Sequence, residues 1–323
     1  MVGPVRGRPG VRGDRVTNTA LAGASAPAAG PTVLGWFEPG TPDWHAARAN
    51  GIGGSEIAAV MGISPYESRF SLWHRKQGLI APVEESEEMF WGKVHEPGIC
   101  ARFAQLHPEL FVSMAPTYAA ADRPWQIANP DRLIIPAPGA DHPVEIVEAK
   151  TARDDHGWGK AGTDDIPVHY RAQCLWYLDV LQVSRCHVAV LIAGSEYREY
   201  VIDYSPHEAQ TMREHGAEFM RTVRQHERPD IDGHAATFTT IKALPEGQDD
   251  IDIEVTQADR DRYFAALDAA KAAEAEKRAA AGVLLDQIDT GRRAVCERRT
   301  VATRTVRDGR THSLQPARTR STS

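Results

Sequence analysis

The stretch that decides the fold runs from NPDRL at residues 129–133 to VEIVEAK at residues 144–150. It predicts strands over residues 124–136 and 144–150, and the PGADHP segment between them is dense in turn formers. Successive side chains of a strand point to opposite faces, so Glu148 and Lys150 share one face, about 6–7 Å apart. The sequence therefore predicts a β-hairpin that carries an acid and a base side by side.

Asp131 adds a second carboxylate to this hairpin. If the two strands pair normally, Asp131 comes alongside Glu148 and Lys150. Two carboxylates that converge with one ammonium are typical of a Mg²⁺ site with a charged helper, because this hard cation prefers oxygen ligands. The competing interpretation is an ordinary Glu–Lys ion pair in solvent, which contributes little to stability. Glu148 and Lys150 by themselves favour the ordinary ion pair, and the metal site becomes the better interpretation only when other residues are considered.

The composition is typical of a soluble globular protein. The chain has 323 residues, of which 42% are hydrophobic and 25% are charged, enough for one large or two small domains. No apolar run approaches the roughly 18 residues of a membrane span, and the N-terminal segment lacks the apolar core of a secretory signal, so we expect a cytoplasmic location. The cysteines at positions 100, 174, 186 and 296 have no C-x-x-C spacing, which argues against zinc or iron–sulfur sites and favours buried free thiols.

The net charge of −7 hides an uneven distribution. Residues 1–34 carry +3, residues 291–323 carry +7, and the body between them carries −17. This pattern is compatible with a small basic groove, with basic arms, or with both. We expect a disordered basic tail at 1–34, a main domain at 35–230, a linker with a long helix at 231–290, and a basic tail at 291–323.

The sequence around the hairpin predicts mainly helices. GIGGSEIAAVMG at 51–62 predicts a tight glycine turn, a cap at Ser55 and a helix that ends at Gly62. A glycine turn before a helix is also a ready anion site, although this one matches neither a P-loop nor a dinucleotide fingerprint. The other predicted elements are helices beginning at Thr41 or Asp43, at Ser64 and near Pro97, helices over 167–181, 206–227 and 257–288, strands over 187–192 and 197–203, a loop over 229–252, and a hairpin over 294–307.

An ordered set of short motifs carries a family resemblance. In chain order the motifs are Arg48, GIGGSEIAA at 51–59, SPY at 64–66, WG at 91–92, Glu96-Pro97, Pro130-Asp131, EAK at 148–150 and Gln173. This set resembles the YqaJ-type viral recombinases, phage alkaline exonucleases related to lambda exonuclease within the PD-(D/E)xK nucleases. The resemblance covers residues 36–225. It implies an α/β fold with a restriction-endonuclease-like core, in which helices flank a central mixed β-sheet, with the long C-terminal helix appended to it.

The resemblance also implies a Mg²⁺-dependent deoxyribonuclease, with Mn²⁺ as an alternative ion, that degrades one strand of linear duplex DNA in the 5′→3′ direction. By motif position, Asp131, Glu148 and the Ala149 carbonyl would bind the metal, and Glu96 would support the site. Lys150 would orient the attacking water and stabilise the charged transition state.

Three further residues receive roles from the same resemblance. Gln173 matches a glutamine that contacts the site from the following helix. Arg48 and Ser55 match positions that hold the terminal 5′-phosphate, a role that suits an Arg fork and a helix N-terminus. The implied partners are duplex DNA ends, a single-strand annealing protein and two further copies of the chain in a trimeric ring, in the cytoplasm of a bacterial host and without a membrane.

One residue departs from the family pattern. Arg132 follows the motif aspartate where the family usually has a glycine, and its charge either contacts DNA or disturbs the site. Two alternatives therefore stay open beside the exonuclease: a catalytically silent protein that binds DNA ends for recombination, and an endonuclease of the same fold. A protein with a chance ion pair does not explain why the motifs occur together.

Overall fold

A computed structural model of the protein describes residues 3, 30–38, 40–244 and 247–317. The helices are α1 (Pro42–Ala49), α2 (Gly54–Val60), α3 (Arg69–Lys76), α4 (Glu87–Leu106), α5 (Val168–Leu181), α6 (Pro206–Gln225), α7 (Ala235–Ala243) and α8 (Gln257–Ile288). The strands are β1 (Thr32–Gly35), β2 (Ile52–Gly53), β3 (Phe111–Met114), β4 (Thr117–Ala119), β5 (Gln126–Ala128), β6 (Arg132–Ile135), β7 (Glu145–Ala152), β8 (Arg185–Ile192), β9 (Glu196–Asp203), β10 (Arg293–Cys296), β11 (Arg299–Arg307) and β12 (Arg310–Pro316). Most of the tail predicted over 1–34 lies outside the described residues, but 32–34 belong to β1.

The central sheet has five strands in the order β3-β6-β7-β8-β9 and contains the predicted hairpin. β6 and β7 pair antiparallel, with Arg132 opposite Val147. β7 and β8 pair parallel, because α5 provides the crossover between them, and β8 and β9 form the second predicted hairpin. The predicted fold class is confirmed: an α/β fold with a mixed sheet flanked by helices and an appended long helix.

Helices bury both faces of this sheet. The α4 face holds a small cluster of buried side chains: Ile99, Phe103, Ile134, Val147 and Ala189. The opposite face belongs to the main core, into which α5 buries ten successive residues, Ala172 to Leu181. Since both faces are covered, most strand positions must be apolar, and Glu148 is buried among them with only 2% of its surface exposed. A carboxylate in such a place needs specific partners.

The first predicted strand, 124–136, is interrupted. Its first part is β5, which belongs to a separate four-stranded sheet of order β1-β4-β5-β2, and its second part is β6. Between β5 and β6, Pro130 has no N–H that could join the hydrogen bonds of a sheet. The side chain of the preceding Asn129 donates to the hydroxyl of Thr117. The interruption places Asp131 immediately before β6, at the end of the central sheet.

The glycine segment before α2 differs from the prediction of a tight turn. Neither Gly53 nor Gly54 has a positive φ, and a Cβ on them would lie 2.1 Å from the Arg48 guanidinium and 2.3 Å from the Tyr177 ring, respectively. Close approach of other side chains, rather than backbone freedom, therefore requires glycine here. The cap prediction was also wrong, because the N-cap is Gly53, and Glu56 accepts its backbone N–H at 2.7 Å. The helix does end before Gly62, which has a φ of +72°.

Two other helix starts were misplaced. α3 begins at Arg69 with Ser68 as its cap, because Ser64 closes a turn by accepting from the backbone of Tyr66 and Glu67. α4 begins at Glu87, ten residues before Pro97, so Pro97 lies in the interior of a 20-residue helix rather than in its first turn. The helix predictions for α1, α5, α6 and α8 are confirmed.

The C-terminal part contains more structure than predicted. α7 lies in the segment predicted as a loop, and β10, β11 and β12 form a three-stranded antiparallel sheet rather than one hairpin. Cys100, Cys174 and Cys186 are buried free thiols, whereas Cys296 is exposed, against the prediction. Within the described ranges, every helix is too short or too polar to cross a membrane.

Candidate active site

One cavity of about 560 Å³ is lined by all eight site residues that were predicted from the sequence. It lies where β6, β7, α4, α5 and the α1–α2 segment meet. Its lining includes Arg48, Ser55, Glu96, Asp131, Glu148, Ala149, Lys150 and Gln173. These residues are separated by up to 125 positions in the chain, so their convergence is a property of the fold.

Glu148 is at the centre of the polar contacts in this cavity. Its Oε1 accepts from the Lys150 ammonium at 2.5 Å and from the Gln173 amide at 2.6 Å. Strand alternation explains the first contact, because both residues point from β7 toward α5. The second contact fixes the carboxylate from the helix side. Gln173 also donates to the Tyr177 hydroxyl at 3.2 Å, which holds the amide in place.

Asp131 reaches the same site from the other strand of the hairpin. Its Oδ2 accepts from the backbone N–H of Ala149 at 2.7 Å. The prediction that Asp131 comes alongside Glu148 and Lys150 is thus confirmed. The contact ties the irregular segment before β6 to the middle of β7.

The ionisation of these groups follows from their burial. Burial and the neighbouring Glu148 carboxylate raise the pKa of Asp131 well above its usual value, against the effect of Lys150. Burial also raises the pKa of Glu148, although the Lys150 ammonium opposes this. Burial by itself would lower the pKa of Lys150, but Glu148 and Asp131 outweigh it and raise that pKa, so Lys150 keeps its charge. Two buried carboxylates therefore share one ammonium.

The carboxylate pair fits a hard cation. Glu148 Oε2 is buried, and within the described residues it has no hydrogen-bond partner. An unpaired buried carboxylate oxygen is costly, and a cation would remove that cost. The described residues contain no cluster of three or more His, Cys, Asp or Glu that could hold a metal by itself. Two carboxylates and a carbonyl suit Mg²⁺, which usually keeps several waters and takes one or two carboxylates from the protein.

Glu96 and Arg132 form an ion pair on the α4 side of the cavity. The Arg132 guanidinium donates to Glu96 Oε1 at 2.9 Å and to the backbone carbonyl of Asp131 at 2.5 Å. Arg132 is not among the residues with positive φ, so the family's glycine is not required for the backbone here. Its charge is directed to Glu96, whereas the carboxylates of Asp131 and Glu148 bond to other groups.

Arg48 and Ser55 form a second polar group in the cavity. The Arg48 guanidinium donates to Ser55 Oγ at 3.1 Å and lies 4.2 Å above the centre of the Trp44 ring. Glu56 is 3.7 Å from Arg48 and 2.9 Å from Lys76. Burial by itself would raise the pKa of Glu56, but Lys76 and Arg48 outweigh it and lower that pKa to about 2. The Arg fork is therefore held in one orientation before any ligand binds.

Three aromatic residues of the cavity were missed in the sequence. Trp44 supports Arg48, the Tyr170 ring centre is 5.2 Å from the Lys150 ammonium, and Tyr177 contacts Gln173. Helical spacing was the available signal, because Trp44 lies four residues before Arg48, and the two tyrosines lie three before and four after Gln173. Aromatic residues at helical spacing more commonly form part of the core, so the pattern by itself does not single these residues out.

A comparison with known protein families covers the part of the chain that forms this site. The model of the YqaJ-like viral recombinase domain matches residues 43–187, a range that includes every residue named for the cavity. Over these residues the chain is therefore similar to the YqaJ-like viral recombinase family, and the resemblance found in the motifs is confirmed.

Individual proteins are more distant. The chain is 26% identical over 231 residues to the uncharacterised protein YqaJ of Bacillus subtilis (strain 168), a match that covers 68% of each chain. Among solved structures, it is similar to an alkaline exonuclease (LHK-Exo) from Laribacter hongkongensis, with 17% identity, a TM-score of 0.45, and coverage of 63% of this chain and 98% of that one. It is also similar to a phage-related exonuclease from Haemophilus somnus 129PT, with 9% identity, a TM-score of 0.42, and coverage of 55% and 94%.

Proposed function

We propose that this protein is a metal-dependent deoxyribonuclease that hydrolyses phosphodiester bonds at the ends of linear duplex DNA, in the 5′→3′ direction, for phage-type recombination. The observation that carries the proposal is the contact group of Glu148, Lys150, Gln173 and Asp131, with its unpaired buried Glu148 oxygen. A structural ion pair would not need that orphan oxygen. The similarity to the recombinase family supports the same conclusion.

The carboxylate pair would hold the metal. Asp131 and Glu148, with the Ala149 carbonyl, are the proposed ligands for Mg²⁺ or Mn²⁺, and Glu96 is proposed to support them from α4. When bound, such an ion would supply a Lewis acid beside the scissile phosphate and would lower the pKa of a bound water. Gln173 keeps Glu148 in one orientation, so the ligand oxygen is positioned before the substrate arrives.

Lys150 is proposed to act as a fixed positive charge. Its raised pKa makes it a poor base, so its ammonium would donate hydrogen bonds to the attacking water and to the phosphate oxygens. Negative charge increases on those oxygens in the transition state, and an ammonium in a water-poor cavity stabilises it strongly. The adjacent Tyr170 ring limits where the ammonium can move.

Arg48 and Ser55 are proposed to receive the terminal 5′-phosphate. The guanidinium is already positioned by Trp44 and Glu56, and the Ser55 hydroxyl can turn its proton toward a phosphate because its oxygen accepts from Arg48. Such a pocket would make cleavage depend on a DNA end. A single-strand annealing protein and a trimeric ring stay expectations of the family resemblance.

The test uses purified protein with linear 5′-phosphorylated duplex, linear 5′-hydroxyl duplex and closed circular duplex. Each is incubated with Mg²⁺, with Mn²⁺ or with EDTA, and Lys150→Ala is compared with wild type. We expect loss of the linear 5′-phosphorylated DNA only, in the presence of metal, and almost none with the variant. An Arg48→Gln variant should cleave the linear 5′-phosphorylated duplex much more slowly than wild type, because it loses the group that binds the terminal phosphate.

Other outcomes would change the proposal. Cleavage of the circle would replace the exonuclease by an endonuclease of the same fold. Intact DNA in both metals, with folded protein still binding DNA ends, would replace the enzyme by the silent accessory protein.

A further inference from the structure

The C-terminal sheet, defined here as β10, β11 and β12, carries an unusual amount of positive charge. Residues 291–317 contain seven arginines and only two acids, Glu297 and Asp308. Within the described residues, none of these arginines has a carboxylate within the 4.0 Å of an ion pair, and six of the seven are exposed. The seventh, Arg304, is only partly exposed. Its guanidinium donates to the carbonyls of Asp289 and Thr290, which fixes the sheet to the end of α8.

Four of the six exposed arginines lie at the two turns of the sheet. Arg307 and Arg310 are direct partners at the β11–β12 turn, where like charges destabilise the pairing. Arg298 forms the β10–β11 turn with Glu297, and Arg299 follows it as the first residue of β11. The turns lie at opposite ends of β11, about 26 Å apart at roughly 3.3 Å per residue. The sheet therefore presents two separate pairs of cations.

The backbone at one turn adds a second cost. Glu297 and Arg298 have φ values of +48° and +65°, the left-handed conformation of a two-residue hairpin turn. Glycine, asparagine and aspartate adopt this conformation most easily, and the other turn of the sheet has Asp308-Gly309. Arg298 therefore occupies a position where it is unfavourable for folding. Like charges in register and an arginine in a strained turn both fit a surface that binds an anion.

Ion pairs are more frequent among the basic residues of the described part of the chain that precedes this sheet. Many of the basic residues outside this sheet are paired, for example Lys76 with Glu56 and Arg213 with Asp179. α8, which carries the sheet, has no buried residue along its 32 positions, which span about 48 Å at 1.5 Å per residue. The acidic body repels phosphates, whereas the sheet at the end of this helix attracts them.

We propose that the C-terminal sheet is a second DNA-binding surface, whose two arginine pairs contact the phosphate backbone of duplex DNA away from the cleavage cavity. Arg307 and Arg310 would take one phosphate group of the backbone, and Arg298 and Arg299 another, through charge-assisted hydrogen bonds. These contacts carry no sequence information. The choice of duplex DNA as the polyanion rests on the proposed function, but the binding does not require cleavage.

The test measures binding of full-length protein to a fluorescent 30-base-pair duplex in EDTA, over a series of salt concentrations. The variants are Arg307→Gln with Arg310→Gln, and a matched control, Lys277→Gln with Arg278→Gln, which removes two exposed charges from α8 next to Glu274. We expect the first pair to weaken binding about tenfold and to reduce the salt slope by about 1, since the pair contacts one phosphate group and each phosphate contact contributes about 0.9. The control should change binding less than twofold.

A third variant separates binding from folding. Arg298→Gly removes a charge and also places glycine at the left-handed position, so it should keep or raise the melting temperature while it weakens binding. Lower melting temperature together with weaker binding would mean that the turn is only structural and would overturn the assignment of Arg298.

The outcomes distinguish this inference from the proposed function. Unchanged DNA binding in Arg307→Gln with Arg310→Gln overturns the inference, even when the protein cleaves linear duplex normally. A protein that never cleaves but loses binding only with these arginines supports the inference and leaves the proposed function in error. An equal loss of DNA binding in the α8 control would assign the effect to general electrostatic attraction and would also overturn the inference. A changed oligomeric state with unchanged DNA binding would assign the arginines to contacts with the acidic body of another copy, and would overturn it too.

Discussion

The central α/β core and the C-terminal sheet use positive charge in opposite ways. In the core, Lys150 and Arg132 each contact a carboxylate at hydrogen-bonding distance and are largely buried. In the sheet, Arg307 and Arg310 face solvent and each other. A paired cation is fixed in position, whereas an unpaired cation on the surface is available to a mobile polyanion. The difference indicates that the core positions charge for chemistry and that the sheet presents charge for binding.

The helices of the two regions differ in the same way. In α5, ten of the 14 residues are buried, and Gln173 and Tyr177 are among them. In α8, none of the 32 residues is buried. Tertiary packing therefore stabilises α5, while α8 depends on the helix propensity of its many alanines, glutamates and lysines. Substitutions should consequently be severe in the core and mild in α8, and the following predictions test this.

The largest expected effect is on cleavage. Lys150→Ala should reduce the rate of hydrolysis of linear duplex by about 10²–10³-fold, because it removes a fixed donor from the site of charge development. Affinity for the duplex in EDTA should stay within about threefold. Single-turnover cleavage and fluorescence anisotropy measure the two quantities. Lys277→Ala on α8 is the control, and a Lys150→Ala rate above a tenth of the wild-type rate would contradict the prediction.

The next effect is on acid stability. Since the pKa of Glu56 is lowered to about 2 in the folded protein, it stabilises the fold above its unfolded pKa near 4.5, and this contribution is lost as the pH falls toward 2. Glu56→Gln should therefore remove up to about 3 kcal/mol at pH 6 and flatten the dependence of stability on pH between 4.5 and 2. Urea unfolding over this pH range measures it. Glu274→Gln on α8, whose carboxylate is half exposed, should leave the curve unchanged.

Metal binding should stabilise the core without any substrate. At 100 times the dissociation constant, Mn²⁺ or Mg²⁺ should add about 2.7 kcal/mol, because the ion binds only the folded site. Differential scanning calorimetry with metal and with EDTA measures the shift of the melting temperature. Glu148→Gln and Asp131→Asn should each abolish the shift, and its persistence in both variants would place the ion elsewhere.

The smallest effects compare two glycines. Gly54→Ala should destabilise the protein by about 1–3 kcal/mol, since its Cβ would lie 2.3 Å from the Tyr177 ring in a packed core. Gly282→Ala on α8 should be neutral or stabilising by about 0.5–1 kcal/mol, because its Cβ meets nothing within 4 Å and alanine is the better helix former. Thermal unfolding of the two single variants measures both. Equal destabilisation would remove the distinction between core and α8.

The predictable part of the fold was local. Alternation, turn residues and caps predicted the hairpin of β8 and β9, the start of α6 at Ser205 and the whole of α8. The errors came from packing. Two sheets divide one predicted strand at Pro130, and α4 begins ten residues before the predicted start near Pro97, because neither event leaves a periodic signal in the sequence.

The candidate site was predictable as a set of residues but not as an arrangement. Glu148 and Lys150 followed from strand alternation, and the ordered motifs added the remaining positions. The bond from Gln173 to Glu148 joins residues 25 positions apart, and the pair of Glu96 with Arg132 joins residues 36 apart. Spacing in the sequence contains no information on such long-range contacts. The aromatic supports Trp44 and Tyr177 do lie at helical spacing from Arg48 and Gln173, but ordinary core residues share that spacing.

The sequence by itself determined which groups are present and which neighbours share a face, because period-2 and period-3.6 geometry and residue chemistry are local properties. It determined that the ends of the chain are basic and the body is acidic. Only the tertiary structure decided which charges are neutralised. The Lys150 ammonium is buried beside two carboxylates, whereas Arg307 and Arg310 stay exposed without a partner in the part of the chain that the structure describes. Ion pairing and desolvation depend on distances through space, and the fold alone sets those distances.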